Sequence, residues 1–227
     1  MKSIKPCLQL LCSLKTRSTL TTSIVKITIV MLFHFLGHRY KIFKQQILFI
    51  MSIYYSSVQI VKKQVVALRA ILAKIPAFVE SSKTPYGNYM IDENYVLKSR
   101  IATDMFPLSK QVQIVSDGLK GMVARMTGTE APKMPDTETT VAELITRLDQ
   151  TLEFVDSIPE LAYEGASQRK AKLPWMPGKY LTIDDYVAFA IPNTYFHMTT
   201  AYNILRHIGL PIGKTDFIGQ VNFQDEV

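Results

Sequence analysis

The sequence predicts an all-α protein, an antiparallel four-helix bundle, and three observations support this fold class. Hydrophobic residues make up 48% of the 227 residues, which is enough for the core of one domain. Four stretches place apolar residues at alternating spacings of three and four, which puts them on one side of a helix. Residues typical of helix caps begin three of these stretches, and segments with glycine or proline follow all four. Four such helices bury their apolar sides best against one another.

The first predicted helix extends to about Ser81, and its apolar stripe consists of Val58, Val61, Val65, Leu68, Leu72, Ile75 and Val79. The turn-forming residues 84–88 (TPYGN) follow and end the helix. Asp92 then predicts a short helical turn over 92–100, because its carboxylate can cap the first free backbone amides.

The second predicted helix opens at Asp104 as its N-cap. Pro107 lies in its first turn, where the backbone amides have no partner inside the helix. Gly128 follows at the position where a helix end takes a left-handed residue. The apolar stripe consists of Met105, Leu108, Val112, Val115, Leu119, Met122 and Met126.

The third predicted helix begins with a capping box of Thr140 and Glu143 and stops at Pro159. The fourth is capped by Thr182 and Asp185 and ends at Gly209. Pro192 lies inside the fourth helix and removes one hydrogen-bond donor, so a kink is predicted there. The stripes are Val141, Leu144, Leu148, Val155 and Ile158 in the third helix, and Ile183, Val187, Ala190, Thr194, His197, Ala201, Ile204 and Ile208 in the fourth.

A small β-hairpin is predicted between the third and fourth helices. Residues 168–173 and 179–182 flank the segment 174–178 (PWMPG), whose prolines and glycine favour a tight turn. Trp175 lies at the tip, and we expect it to pack on the bundle as a lid rather than to bind a ligand.

The net charge of +7 comes from the leading segment. Residues 1–50 contain eight of the 26 basic residues and no acidic one, which leaves 18 basic against 19 acidic residues in the remainder. The nearly neutral remainder therefore shows no basic, aromatic-rich face for nucleic acid. Both cysteines, Cys7 and Cys12, also lie in the leading segment, which excludes a disulfide or a cysteine-ligated zinc within the remainder.

Residues 1–50 are expected to be a leading extension outside the fold, residues 51–219 the bundle, and residues 220–227 a tail. The ten-residue apolar run 27–36 is too short to span a bilayer, which takes about twenty residues. Three interpretations stay open: a signal-peptide core or membrane anchor, an organelle transit sequence, or a segment that precedes the true start at Met51. The third favours a cytoplasmic protein, and membrane contact is expected only if residues 1–50 are expressed.

A polar side chain at an apolar stripe position needs a partner, because burying it unpaired costs about 1 to 3 kcal/mol. His197 is such a residue in the fourth helix. Asn193 lies one turn before it, and Gln111 in the second helix can point into the same space, so the three predict a small polar pocket. Asp104 is a weaker pocket candidate, since a helix cap explains it. Asp117 is expected to lie in solvent.

Two stretches resemble an uncharacterised family of bacterial and fungal proteins. They are residues 196–217 (FHMTTAYNILRHIGLPIGKTDF) and residues 104–114 (DMFPLSKQVQI). The similarity runs from Met51 to about Gly219. That family is grouped with the DinB/YfiT-like four-helix bundles, so the resemblance implies the same fold as the apolar stripes. It also implies pairing of two copies through helix faces as a homodimer.

Many DinB-like relatives hold a divalent metal through one histidine on the second helix and a His-x-x-x-His pair on the last. The resemblance places His197 at the second histidine of that pair, with Leu205, Arg206 and Gly209 at the family's spacing. Asn193 replaces the first histidine, and Gln111 stands at the second-helix position. Neutral amides bind Zn or Ni far more weakly than imidazole does. No resident metal or other cofactor is therefore expected, and the alternative is a divalent ion held at His197.

Three classes of function follow as hypotheses. The preferred one is a small-molecule-binding or interaction module, of unknown biochemical role, with a degenerate polar pocket. The second is a metal-dependent hydrolase or transferase of the DinB-like type. The third is a membrane-anchored helical bundle that uses the leading segment.

Overall fold

The computed structural model describes residues 53–226, and these residues form a helical bundle with one small hairpin. Predictions about residues 1–50 lie outside this range. Four helices build the bundle: α1 (Ile60–Leu72), α4 (Leu108–Thr127), α5 (Val141–Ser157) and α6 (Ile183–His207). Three shorter helices connect or follow them: α2 (Ile75–Ser81), α3 (Glu93–Lys98) and α7 (Lys214–Ile218). The predicted all-α fold class is confirmed.

Contacts between side chains show that α1 and α5 run in opposite directions. Along α1 and α5, Lys62 pairs with Asp156 while Arg69 pairs with Asp149. As residue numbers rise in α1, those of the partners in α5 fall. The apolar stripes of all four helices meet in one core, which includes fully buried Leu68, Leu119, Leu148 and Ala201.

The first helix is not continuous to Ser81, so that prediction is wrong. A π-helical turn, Tyr54–Gln59, leads into α1, and α1 ends at Leu72 before α2 begins at Ile75. Pro76 explains the break. It has no amide to donate to the carbonyl of Leu72, and its ring would collide with that carbonyl in a continuous helix.

The start of α4 is also later than predicted. Pro107, not Asp104, occupies the N-cap position, and Asp104 is exposed in the turn before it. Proline disfavours helical geometry in the residue before it, so Phe106 cannot belong to the helix and the first helical residue follows Pro107. The amide of Leu108 donates to the carbonyl of Ser99 at 2.9 Å, which satisfies one of the free amides of the first turn.

The other predicted helix ends agree with the structure. Thr140 and Glu143 form the capping box of α5, and the Thr182 hydroxyl accepts from the amide of Asp185 at the start of α6. Gly128 ends α4 with a left-handed φ of 78°. Helix α6 continues through Pro192 as one helix, and the kink there stays a prediction.

The hairpin is present but shorter than predicted. Strands β1 (Lys170–Lys172) and β2 (Tyr180–Thr182) pair antiparallel, with Ala171 opposite Leu181. Gln168 ends the second of two 3₁₀ turns, Glu160–Tyr163 and Ala166–Gln168, instead of beginning the first strand. Over residues 53–226 no helix is both long enough and apolar enough to cross a bilayer.

Candidate functional site

The structure brings together two of the predicted pocket residues, Gln111 of α4 and His197 of α6. The His197 Nδ1 atom lies 2.7 Å from the Gln111 Oε1 atom. Gln111 is buried, whereas His197 is only partly buried and Met198 beside it occupies the core. His197 therefore lies at the edge of the apolar stripe, not at its centre.

A second hydrogen bond determines which partner donates. The Gln111 Nε2 atom donates to the carbonyl of Phe106 at 3.0 Å, which turns the amide oxygen towards His197. His197 must then carry its proton on Nδ1 and donate it to Gln111. Burial lowers the pKa of His197 below its ordinary value, because a charged imidazolium loses hydration there. The neutral ring at pH 7 thus acts as a structural donor between two helices.

Asn193 and Asp104 are placed differently. Asn193 lies one turn before His197 but lines a neighbouring cleft, together with Gly118 of α4 and Ala190 of α6. Asp104 is exposed and lies outside that cleft's lining. The site is therefore a cleft that begins beside the Gln111–His197 pair, and its main residues are not those that the stripes indicated.

This space, here called the α4–α6 cleft, has a volume of about 610 Å³. Helices α4 and α6 form two walls, and the hairpin with the loop after α4 forms the rest. The single tryptophan of the chain, Trp175, lies at its edge and is 62% exposed, so it does not pack as a closed lid. The lining residues are Ile114, Asp117, Gly118, Lys120, Gly121, Ala124, Arg125, Thr129, Ala131, Lys172, Pro174, Trp175, Tyr186, Phe189, Ala190, Asn193 and Thr194.

A glycine allows the two helices to approach at the floor of the cleft. A Cβ atom on Gly118 would lie 2.5 Å from the Oγ1 atom of Thr194. Thr194 is buried and its hydroxyl donates to the carbonyl of Ala190 at 2.8 Å, so it has little room to move. Close contact of α4 and α6 therefore depends on the absence of a side chain at Gly118.

Asp117 lines the cleft with 44% of its side chain exposed, and it is also held in ion pairs. Its Oδ1 atom lies 2.8 Å from Lys120 Nζ and 2.8 Å from Arg147 Nη2. Arg147, on α5, has only 2% of its side chain exposed. It also contacts Glu138 at 2.8 Å and Asp136 at 3.0 Å, both in the loop before α5. The wall of the cleft thus continues into an ion-pair network around the buried Arg147.

The charges of this network stabilise one another. Burial alone would lower the pKa of Arg147, but the hydrogen bond to Glu138 and the charge of Asp117 raise it overall. Burial alone would raise the pKa of Asp136, yet Lys110 and Arg147 lower it overall. Sequence reasoning missed Arg147 because it stands between the apolar stripe residues Leu144 and Leu148. The one sequence signal for a buried ion pair was a charged residue, Arg147, on an otherwise apolar side of the third helix.

The residues near His197 do not fit a tightly held metal ion. A zinc or nickel site takes three or more imidazole, thiolate or carboxylate ligands. Within residues 53–226 no three histidine, cysteine or acidic side chains cluster in this way. The side-chain hydrogen-bond partner of His197 is the carboxamide of Gln111, which is a weak metal ligand and already accepts the Nδ1–H hydrogen bond.

The fold and the paired helices α4 and α6 define a DinB-like helical bundle. A solved structure of a DinB family member protein from Shewanella denitrificans is 38% identical to this chain, with a TM-score of 0.72. The match covers 79% of this chain and 98% of that one. The family model for a domain of unknown function, DUF1993, matches residues 53–218. The chain therefore belongs to the DUF1993 family. A search of curated proteins gives no match. The resemblance stated from the sequence is confirmed.

Proposed function

We propose that this chain is a small-molecule-binding protein whose ligand occupies the α4–α6 cleft. One observation carries the proposal: the cleft, of about 610 Å³, combines apolar walls with a few polar groups. Ligand sites typically measure about 300 to 1,000 Å³ and have this composition. Ile114, Ala124 and Phe189 supply apolar surface, while Arg125 and Asn193 supply hydrogen-bonding groups.

The Gln111–His197 pair supports this proposal as a structural element. It joins α4 to α6 beside the cleft and so keeps the two walls at a constant separation. The His197 imidazole is neutral and its Nδ1–H already donates a hydrogen bond to Gln111. We therefore assign the pair to positioning the walls of the cleft rather than to proton transfer.

The single tryptophan provides a direct measurement of binding. Trp175 lines the cleft and is 62% exposed, so a bound molecule changes its fluorescence. We would screen acids, amides, amines and alcohols of metabolite size by thermal shift. Compounds that raise the melting temperature are then titrated against Trp175 emission.

A pair of matched variants locates the binding. Ala124→Phe fills the α4–α6 cleft, whereas Ala70→Phe places the same side chain in a cavity of about 630 Å³ beside α1. We expect binding to be lost in the first variant and retained in the second. If no compound binds, or if both variants bind equally well, the proposal is wrong.

The two other hypotheses have separate tests. A metal-dependent hydrolase or transferase requires a stoichiometric metal in the purified full chain that disappears in His197→Ala. Elemental analysis measures this, and such a result would replace the present proposal.

A membrane-anchored bundle depends on residues 1–50, and the intact mass of the native protein tells whether they are retained. Light scattering measures whether the protein pairs as a homodimer.

A further inference from the structure

Resting on the proposed function, we infer that the ligand of the α4–α6 cleft is an organic anion with a flat apolar body. Two features of the described residues lead to this ligand class. The cleft has two cationic side chains without an acidic partner, and its opening is lined by aromatic rings.

Part of the charge that lines the cleft is already balanced by the ion-pair network around Arg147. The network around Arg147 contains three cations and three carboxylates: Arg147, Lys110, Lys120, Asp117, Asp136 and Glu138. Asp117 and Lys120 line the cleft but belong to this neutral network. The one carboxylate of the lining is therefore compensated, and it does not repel an anion as a free aspartate would.

Arg125 is the first cation outside the network. Its Nη1 atom donates to the Gly121 carbonyl at 2.9 Å and to the Tyr186 hydroxyl at 3.2 Å. Its Nε atom donates to the Lys172 carbonyl at 3.0 Å. All three acceptors are neutral. Over residues 53–226 no carboxylate lies within ion-pair distance of Arg125 and Nη2 has no hydrogen-bond partner.

Arg125 is thus held in place with its charge available. A guanidinium whose position is already determined loses less conformational entropy when it binds a carboxylate or phosphate. The hydrogen bond to the Lys172 carbonyl also attaches the end of β1 to α4, so the guanidinium is fixed relative to the hairpin.

Lys172 is the second available cation. Its side chain is exposed, lines the cleft and has no acidic partner within the described part of the chain. The Lys172 carbonyl accepts from Arg125 Nε at 3.0 Å, so the Lys172 side chain starts beside the guanidinium and its charge adds to the attraction for an anion. Charge-assisted hydrogen bonds of this kind are roughly twice as strong as neutral ones.

The aromatic rings determine the other half of the ligand. Trp175 and Phe189 line the opening and are 62% and 41% exposed, while Tyr186 lies under Arg125 with 5.2 Å between the guanidinium carbon and the ring centre. Exposed aromatic side chains at a concave site favour a flat apolar partner, because stacking buries both surfaces. The anionic group therefore binds at Arg125, and the apolar body lies against Trp175 and Phe189.

The test compares two probes that differ in one charge, 4-biphenylcarboxylate and 4-biphenylcarboxamide. Both are titrated against the Trp175 emission of the full chain at low salt and at about 0.5 M salt. We expect the acid to bind about tenfold more tightly than the amide, and this advantage to shrink at high salt because ions screen the attraction.

Variants assign the effect to the two cations. Lys172→Gln changes an exposed side chain and should lower the affinity for the acid about threefold to tenfold without altering the amide. Arg125→Gln should lower the affinity for the acid more strongly. Arg125→Lys keeps a positive charge and should restore part of the difference in affinity between acid and amide. Lys63→Gln, at the cavity beside α1, is the matched control and should change neither probe.

The outcomes separate this inference from the proposed function. If acid and amide bind equally well and Lys172→Gln changes neither affinity, the inference that the ligand is an anion is wrong. The proposed small-molecule binding is then unaffected. Tighter binding of the amide than of the acid also overturns the inference that the ligand is an anion. If neither probe nor any compound of the wider screen binds, the proposed function itself fails.

Discussion

The His197 Nδ1 atom lies 2.7 Å from the Gln111 Oε1 atom, and this contact joins the start of α4 to the middle of α6. DinB-like relatives with a metal would place two ligands at these positions. Here His197 donates a hydrogen bond and Gln111 accepts it. A direct hydrogen bond thus connects the two helices without requiring an ion, and the cleft beside it keeps its walls.

The titration of His197 should contribute to the pH dependence of stability. Burial lowers its folded pKa, while the unfolded value is about 6.5. The unfolded chain then binds the proton more readily, so this contribution is complete above about pH 6.5 and declines as pH falls towards the lower folded pKa. Urea unfolding between pH 7.5 and 5 should show the decline, and His197→Gln should reduce its slope.

His207 provides the control for this prediction. It is exposed in the last turn of α6, and His207→Gln should leave the contribution of His197 in place. If both variants show the same slope as the unmodified chain, the pKa of His197 is not lowered.

Removing the buried arginine should cost more stability than removing an exposed one. Arg147→Met leaves Asp117, Asp136 and Glu138 without their shared cation, and we expect a loss of about 3 kcal/mol. The matched variant is Arg69→Met, whose pair with Asp149 has side chains that are 42% and 38% exposed. An exposed pair contributes about 0 to 1 kcal/mol. Urea unfolding of both variants at pH 7 measures the difference.

The cost of Arg147→Met should also depend on pH. The pKa of Asp136 is lowered in the folded chain, so its contribution is present above the unfolded value near 3.9 and is lost as pH falls through the folded one. The difference between Arg147→Met and the unmodified chain should therefore shrink below about pH 4. A difference that stays constant with pH would mean that packing, not charge, explains the loss.

Gly118→Ala should destabilise the bundle because the added Cβ atom would lie 2.5 Å from Thr194 Oγ1. Overpacking costs about 1 to 3 kcal/mol, and the better helix propensity of alanine offsets about 1 kcal/mol of this. Combining the substitution with Thr194→Ala removes the colliding atom, so the two changes should couple favourably by about 1 kcal/mol. Thermal or urea unfolding of the four chains gives the coupling.

Thr194→Val is the second partner in this cycle. Valine keeps a heavy atom where the hydroxyl was, and it should not relieve Gly118→Ala. Equal rescue by alanine and valine would show that the lost hydroxyl, rather than the space, is responsible.

Tyr163→Phe should leave stability unchanged or raise it by about 1 kcal/mol. Tyr163 is 1% exposed, and its hydroxyl has no hydrogen-bond partner among residues 53–226. Removing an unpaired buried hydroxyl ends a desolvation cost. Tyr186→Phe is the contrasting variant, because its hydroxyl accepts from Arg125 at 3.2 Å and its removal should destabilise. A loss of stability in Tyr163→Phe would point to a bound water at the hydroxyl.

Some errors in the sequence-based prediction came from prolines whose effects are local. Pro76 breaks the first helix, and Pro107 delays the start of α4 by restricting Phe106. Both effects follow from proline geometry. The apolar spacing alone concealed them, because a stripe can continue across a short interruption such as Ala73–Lys74.

The network around Arg147 could not be predicted in the same way. Asp117 lies 30 positions before Arg147, and the loop with Asp136 and Glu138 folds back onto α4 and α5. Nothing in the spacing of these residues indicates that they meet. Asn193 and His197 illustrate the same limit, since residues one turn apart on one helix face have different surroundings.

The sequence by itself determined the four helices, most of their caps and the hairpin, and it indicated that Gln111 and His197 point into the same space. Periodicity, capping and turn preferences are local properties, and two opposed polar side chains on antiparallel stripes have few other partners. Only the tertiary structure decided the cleft, the charges that face it and the pairing of Asp117. These depend on side chains from α4, α5, α6 and the hairpin that are distant in sequence and meet only when the helices pack.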